Sequence, residues 1–184
     1  IGHQTLSSNV AKQGSTAIGY QAMYYADSTA TAGLSYNTAV GYQALTGSGT
    51  AASNTGTANT ALGYQALTSN TSGYDNTALG VNAMNDNTGG YRNVAIGKNA
   101  LFTNVARRGN VAIGYESMRY ADSTASGFDT LNTAVGYNAY RGSTTPANNT
   151  GSLNSFFGAY SGYSMTNGYQ NVAVGSSSLY NNTS

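Results

Sequence analysis

A nine-residue unit recurs ten times along the 184-residue chain, and that recurrence constrains the fold more than any single motif. The copies run from a truncated IGHQTL at residues 1–6 through STAIGYQAM, NTAVGYQAL, NTALGYQAL, NTALGVNAM, NVAIGKNAL, NVAIGYESM, NTAVGYNAY and NSFFGAYSG to NVAVGSSSL. Their central glycines are Gly2, Gly19, Gly41, Gly63, Gly80, Gly97, Gly114, Gly136, Gly158 and Gly175, spaced by 17 or 22 residues. The spacing pattern itself repeats after 95 residues, so that YADSTA at 25–30 returns at 120–125 and NVAKQG at 9–14 returns as NVARRG at 104–109. The expected organisation is one array, 1–184, made of two super-repeats, 1–95 and 96–184, and read as a piece of a longer series of such repeats.

A 17-residue unit is too short for a helical hairpin repeat. Its β-branched and small residues, bounded by Gly, Asn, Ser and Thr, predict short strands and turns. Such a unit cannot bury its own apolar residues and must stack on its neighbours. The predicted fold is therefore all-β: a parallel β-solenoid (β-roll or β-helix) of about ten coils, one coil per unit. The residue before each central Gly is apolar (Ile1, Ile18, Val40, Leu62, Leu79, Ile96, Ile113, Val135, Phe157, Val174). Two before it stands Ala in most units, Phe156 being the exception, and four after it mostly Leu or Met. Strand parity sends Ala and Leu to one face and the Ile/Val/Leu ladder to the other. Two apolar faces imply either that the second is buried against identical chains in an intertwined or side-by-side homo-oligomer, or that the Gly bends the strand and brings both inward. The first is favoured. Asn opens eight complete units (Asn37, Asn59, Asn76, Asn93, Asn110, Asn132, Asn154, Asn171) and Ser15 the ninth, a structural turn role in which amides bond their own turn or the Asn stacked above. The central glycines are expected to supply a positive φ or a bend.

The composition argues against most chemistry. Seven basic and six acidic residues give a net charge of +1, which leaves no basic patch for nucleic acid, and no apolar run of about 18 residues is present to insert in a membrane. With no Cys and one His, no thiolate nucleophile, disulfide or His-rich metal cluster can form. His3 sits at a variable position. Asp27, Asp75, Asp86, Glu116, Asp122 and Asp129 are scattered singly. No catalytic, metal or cofactor site is expected, and the chain is read as not an enzyme. The candidate contact residues are tyrosines: Tyr20, Tyr42, Tyr64, Tyr115 and Tyr137, one residue after the Gly, and Tyr25 and Tyr120 in the YADSTA copies. Asn70, Asn148 and Asn182 match an Asn-x-Ser/Thr pattern that chance explains in so Asn- and Thr-rich a chain. The insertions 24–36 and 46–58, with their copies at 119–131 and 141–153, are expected to bulge outward, and loops on a rigid scaffold are where a ligand would be recognised.

At NTAVGYQAL, NVAIGKNAL and NVAIGYESM the sequence resembles the head repeats of trimeric autotransporter adhesins, and more closely the tandem units of large bacterial surface and phage tail-fibre-like proteins. The resemblance covers essentially the whole chain, with a longer period than those adhesin heads have. It implies a parallel β-solenoid in a homo-oligomeric, usually trimeric, extracellular fibre that attaches to a target cell. The expected partners are copies of the chain itself and a cell-surface glycan or protein. The alternative is a ligand-recognition solenoid that binds glycan or ice. An ice face needs a regular Thr ladder, whereas the position three before Gly alternates between Thr (Thr16, Thr38, Thr60, Thr77, Thr133) and Val (Val94, Val111, Val172).

Overall fold

The computed structural model describes residues 1–26, 32–120, 129–145 and 148–183. Among them the chain is all-β and turn, with a three-residue 3-10 turn at Ala51–Ser53. The strands in order are β1 Lys12–Gln13, β2 Thr16–Ile18, β3 Gly33–Leu34, β4 Thr38–Val40, β5 Thr60–Leu62, β6 Thr77–Leu79, β7 Val94–Ile96, β8 Val111–Ile113, β9 Thr133–Val135, β10 Ser155–Phe157 and β11 Val172–Val174. Nine of them, β2 and β4 to β11, form one parallel sheet in chain order, the arrangement of a β-solenoid. β1 and β3 form a second, two-stranded sheet.

The register is set by the repeat. Thr16 pairs with Thr38, Thr38 with Thr60 and Thr60 with Thr77, so a 22-residue step and a 17-residue step enter the same ladder without a slip. The extra residues of the longer units are absorbed away from this sheet.

Strand parity holds for three residues and then ends. In each strand the central residue (Ala17, Ala39, Ala61, Ala78, Ala95, Ala112, Ala134, Phe156, Ala173) is buried, and its two neighbours point out. The following glycine takes a φ of +116° to +143°, open to Gly alone at no Cβ penalty. The chain beyond it is a tight turn. Gln65 and Leu67 have φ of 53°, and the equivalent pairs in the other units have the same left-handed backbone. Ala66 and Leu67 are consequently both buried, though adjacent in sequence. Leu and Met do enter the core, as parity had indicated, but through the turn and not through a continued strand. A left-handed non-Gly residue costs about 1–2 kcal/mol, and burial of the Leu or Met side chain, worth about 1.5–3 kcal/mol, offsets it.

The core interleaves apolar and amide ladders. Ala, Leu and Met fill one side, and Asn37, Asn59, Asn76, Asn93, Asn110, Asn132 and Asn154 form a buried column on the other. Over the first four of these residues each amide donates to the Asn of the preceding coil: Asn59 Nδ2 to Asn37 Oδ1 at 3.2 Å, Asn76 Nδ2 to Asn59 Oδ1 at 3.0 Å, and Asn93 Nδ2 to Asn76 Oδ1 at 3.1 Å. The turn carbonyls of Gly73 and Gly90 accept from Asn59 and Asn76 at 2.8 Å. A coil this narrow turns backbone groups inward, where water does not reach, and the Asn column satisfies them.

Candidate interaction surface

The outward residues of the nine strands make one continuous face. Its central column is Ile18, Val40, Leu62, Leu79, Ile96, Ile113, Val135, Phe157 and Val174, with Ile18, Leu62, Leu79 and Phe157 each 40–44% exposed. Beside it run the residues three before the Gly, and the middle strands, with Val94, Ile96, Val111 and Ile113, are apolar at both outward positions.

The tyrosine column flanks this face on the turn. His3 stacks on Tyr20 at 5.5 Å between centroids, Tyr20 on Tyr42 at 5.2 Å and Tyr42 on Tyr64 at 5.1 Å. Val81 and Lys98 interrupt it, and it resumes with Tyr115 on Tyr137 at 5.1 Å. Stacked rings use their faces on one another, so the column offers outside partners edges and hydroxyls only. Next to it, Gln21, Gln43 and Gln65 each donate Nε2 to the Oε1 of the preceding glutamine at 2.8 Å.

The other two candidate tyrosines lie on a different corner. Tyr25 packs edge-on against Tyr24, with centroids 4.4 Å apart. Tyr120 lies between the guanidinium groups of Arg119 and Arg141, 4.9 and 4.8 Å from its ring centroid. Most of the two YADSTA segments, including Asp27 and Asp122, lies outside the described residues. Asn70 is buried, its Nδ2 on the Gly73 carbonyl at 3.1 Å, which removes it as a glycosylation acceptor in the folded chain.

Three features escape sequence reasoning. A second buried amide column, Asn70, Asn87 and Asn104, runs parallel to the first, with Asn87 Nδ2 on Asn70 Oδ1 at 2.7 Å and Asn104 Nδ2 on Asn87 Oδ1 at 3.0 Å. Its signal was present: Asn recurs ten residues before the central Gly at Asn9, Asn70, Asn87 and Asn104. Arg107 is buried although it belongs to a basic pair, Arg107-Arg108. Finally, Glu116, only 6% exposed, joins two coils by accepting from Arg119 and, at 3.0 Å, from Arg141 Nε.

Burial alone would push the Glu116 carboxyl up. The Arg141 hydrogen bond and the charges of Arg119 and Arg141 outweigh it and hold the group below its ordinary value of 4.5. A carboxyl lowered on folding stabilises the protein above its unfolded pKa, and that increment is lost as pH falls through the lowered folded value. Glu116→Gln should therefore lower stability at pH 7 by about 1–3 kcal/mol and flatten the acid side of the stability curve. Thermal melts between pH 7 and pH 3 check this, and parallel wild-type and variant curves would refute it.

Among the described residues no three His, Cys, Asp or Glu side chains gather where they could hold a metal ion, and no helix is long and apolar enough to cross a membrane. Comparison with family models, curated proteins and solved structures finds no match to the chain.

Proposed function

We propose that the chain is a structural and adhesive repeat segment of a long extracellular fibre, on a bacterial surface or a phage tail, in which about ten stacked coils extend or mediate attachment to a target cell. Three copies side by side are the favoured assembly, with a cell-surface glycan or protein as the external partner and no catalytic role. The observation that carries this reading is the unbroken apolar column on the outer face of the nine-stranded sheet. Monomeric proteins rarely leave such a patch open to water. Nine strands at about 4.8 Å make a face about 40 Å long, and the span from the outer Thr/Val position to the tyrosine column is about 15 Å. The product, on the order of 600 Å², approaches the about 800 Å² per partner used by stable complexes. The same surface is almost free of charge, as the centre of an interface should be.

Light scattering should give a multiple of 18.8 kDa. The paired substitution Ile96→Asp and Ile113→Asp should reduce the mass to one chain and leave the far-UV circular dichroism unchanged, because both side chains point away from the chain's own core. Adhesion of beads displaying the array to target cells tests attachment, and its reach should shorten when coils are removed. A wild-type chain that is monomeric at all concentrations would refute the assembly, and beads that never adhere would refute the adhesive role.

A further inference from the structure

An open cleft of about 470 Å³ lies where residues of the last long insertion overhang the two coils that follow. Its walls are Ser143, Thr144, Asn148, Ser164, Thr166 and Thr183, with Gly142 at the base. We propose that this cleft binds a neutral saccharide, a mono- or disaccharide unit, independently of whether the chain self-associates.

Chemistry and preorganisation both support the assignment. Among the described residues every side chain in the wall is a hydroxyl or an amide and none is charged, so a charged ligand would find no counter-ion among them. Hydroxyls and amides both donate and accept, which matches the alternating donors and acceptors of a sugar ring. The side chains of Thr144, Asn148, Ser164 and Thr183 make no hydrogen bond to the described residues and remain available, whereas Thr166 Oγ1 is committed to the Thr183 carbonyl at 2.9 Å. The volume falls within the about 300–1,000 Å³ typical of small-molecule sites. The overhanging wall is held by the buried Asn149, whose Oδ1 accepts from Ser143 N at 2.9 Å and whose Nδ2 donates to the Ser143 carbonyl at 2.8 Å. Ser143 Oγ in turn accepts from Thr145 N at 3.1 Å. A wall fixed before binding loses little entropy when a ligand arrives.

The same construction occurs one super-repeat earlier. Asn54 Oδ1 accepts from Ser48 N at 2.9 Å, Asn54 Nδ2 donates to the Ser48 carbonyl at 2.6 Å, and Ser48 Oγ accepts from Thr50 N at 3.1 Å. Gly47, Ser48, Ser69, Thr71 and Thr88 stand where Gly142, Ser143, Ser164, Thr166 and Thr183 stand in the second super-repeat.

The experiment is a titration of the isotope-labelled chain with a panel of neutral and sialylated oligosaccharides, followed by amide chemical shifts. The expected result is saturable shifts at Gly142, Ser143, Thr144 and Ser164 with at least one neutral saccharide. Ser164→Leu, which fills the cleft, should weaken that binding at least tenfold with the melting temperature unchanged. Asn148→Ala, at an exposed position, should weaken it severalfold and guards against misfolding of the first variant. Three outcomes would overturn the proposal: no neutral saccharide shifting these amides, response to sialylated sugars only, or binding that survives both substitutions. Because the readout is on the single chain, failure here leaves the fibre reading standing, and a monomeric chain that binds sugar would do the reverse.

Discussion

Gly63→Ala is expected to break the array at its middle, whereas the same substitution at Gly175 should be tolerated. Both glycines have a left-handed φ, +140° and +116°, so alanine brings backbone strain of about 1–3 kcal/mol at either. Only Gly63 carries a second cost. A Cβ built there lies 2.5 Å from the Gly80 carbonyl oxygen, while one on Gly175, in the last coil of the 184 residues, meets nothing within 4 Å. The obstructing atom is backbone fixed by its own ladder, since Gly80 N donates to the Leu62 carbonyl at 2.8 Å, and it cannot swing aside as a side chain would. Relief would require opening the coil spacing, which lengthens every hydrogen bond between β5 and β6. We expect Gly63→Ala to cost about 4 kcal/mol or more, beyond the range of most point substitutions, and Gly175→Ala about 1–2 kcal/mol. Urea denaturation followed by circular dichroism measures both. Equal losses at the two sites would show that φ strain alone governs the glycine column.

That contrast bears on how much of the molecule was legible in the sequence. The stacking of one glycine on the next follows from ten copies in register, and the inward Ala and outward Ile/Val/Leu follow from strand period. The outer apolar face was readable for the same reason: Ile18, Leu62 and Leu79 sit beside an obligatory turn glycine and opposite a conformationally simple Ala. The left-handed backbone of Leu67 and Met84 was not readable, because neither residue type favours that region. It is imposed by the need to close a narrow coil around a core. The Glu116, Arg119 and Arg141 cluster was hidden for another reason. Glu116 and Arg141 are 25 residues apart and meet only because the coils stack. The cleft walled by Ser143 and Ser164 is equally a product of stacking, and Ser and Thr in a loop carry no signal of their own. Local pattern thus revealed what repeats in every coil and missed what two or three particular coils build together.

The buried asparagine column should be the second point of failure, through polar groups left stranded in a dry interior. Asn76 Nδ2 donates to Asn59 Oδ1 at 3.0 Å and to the Gly90 carbonyl at 2.8 Å, and its Oδ1 accepts from the backbone N and the Nδ2 of Asn93, both at 3.1 Å. Leucine at this position has similar volume and none of these bonds. It strands the Asn93 backbone N–H, which costs about 1–3 kcal/mol, and removes three further hydrogen bonds at about 0.5–1.5 kcal/mol each, although the Gly90 carbonyl keeps Asn87 Nδ2 at 3.2 Å. Asn76→Leu should therefore lose about 3–5 kcal/mol in all, whereas Asn85→Ala, which removes one half-buried bond to the Gln65 carbonyl, should lose about 1 kcal/mol or less. Asn76→Asp separates hydrogen bonding from packing. At pH 7 one oxygen of the introduced carboxylate would face the Asn59 and Gly90 oxygens with no proton between them, and burial beside them must raise its pKa above the ordinary value. A group raised on folding has its full stabilising effect below the unfolded pKa and loses it as pH rises through the folded pKa. The Asn76→Asp variant should accordingly recover stability on acidification, when the protonated carboxyl can again donate to the Gly90 carbonyl, while the Asn76→Leu variant should not. Melting temperatures of the two variants at pH 7 and pH 4 make the comparison, and an aspartate variant that fails to gain on acidification relative to the leucine variant would show that the amides contribute shape and not hydrogen bonds.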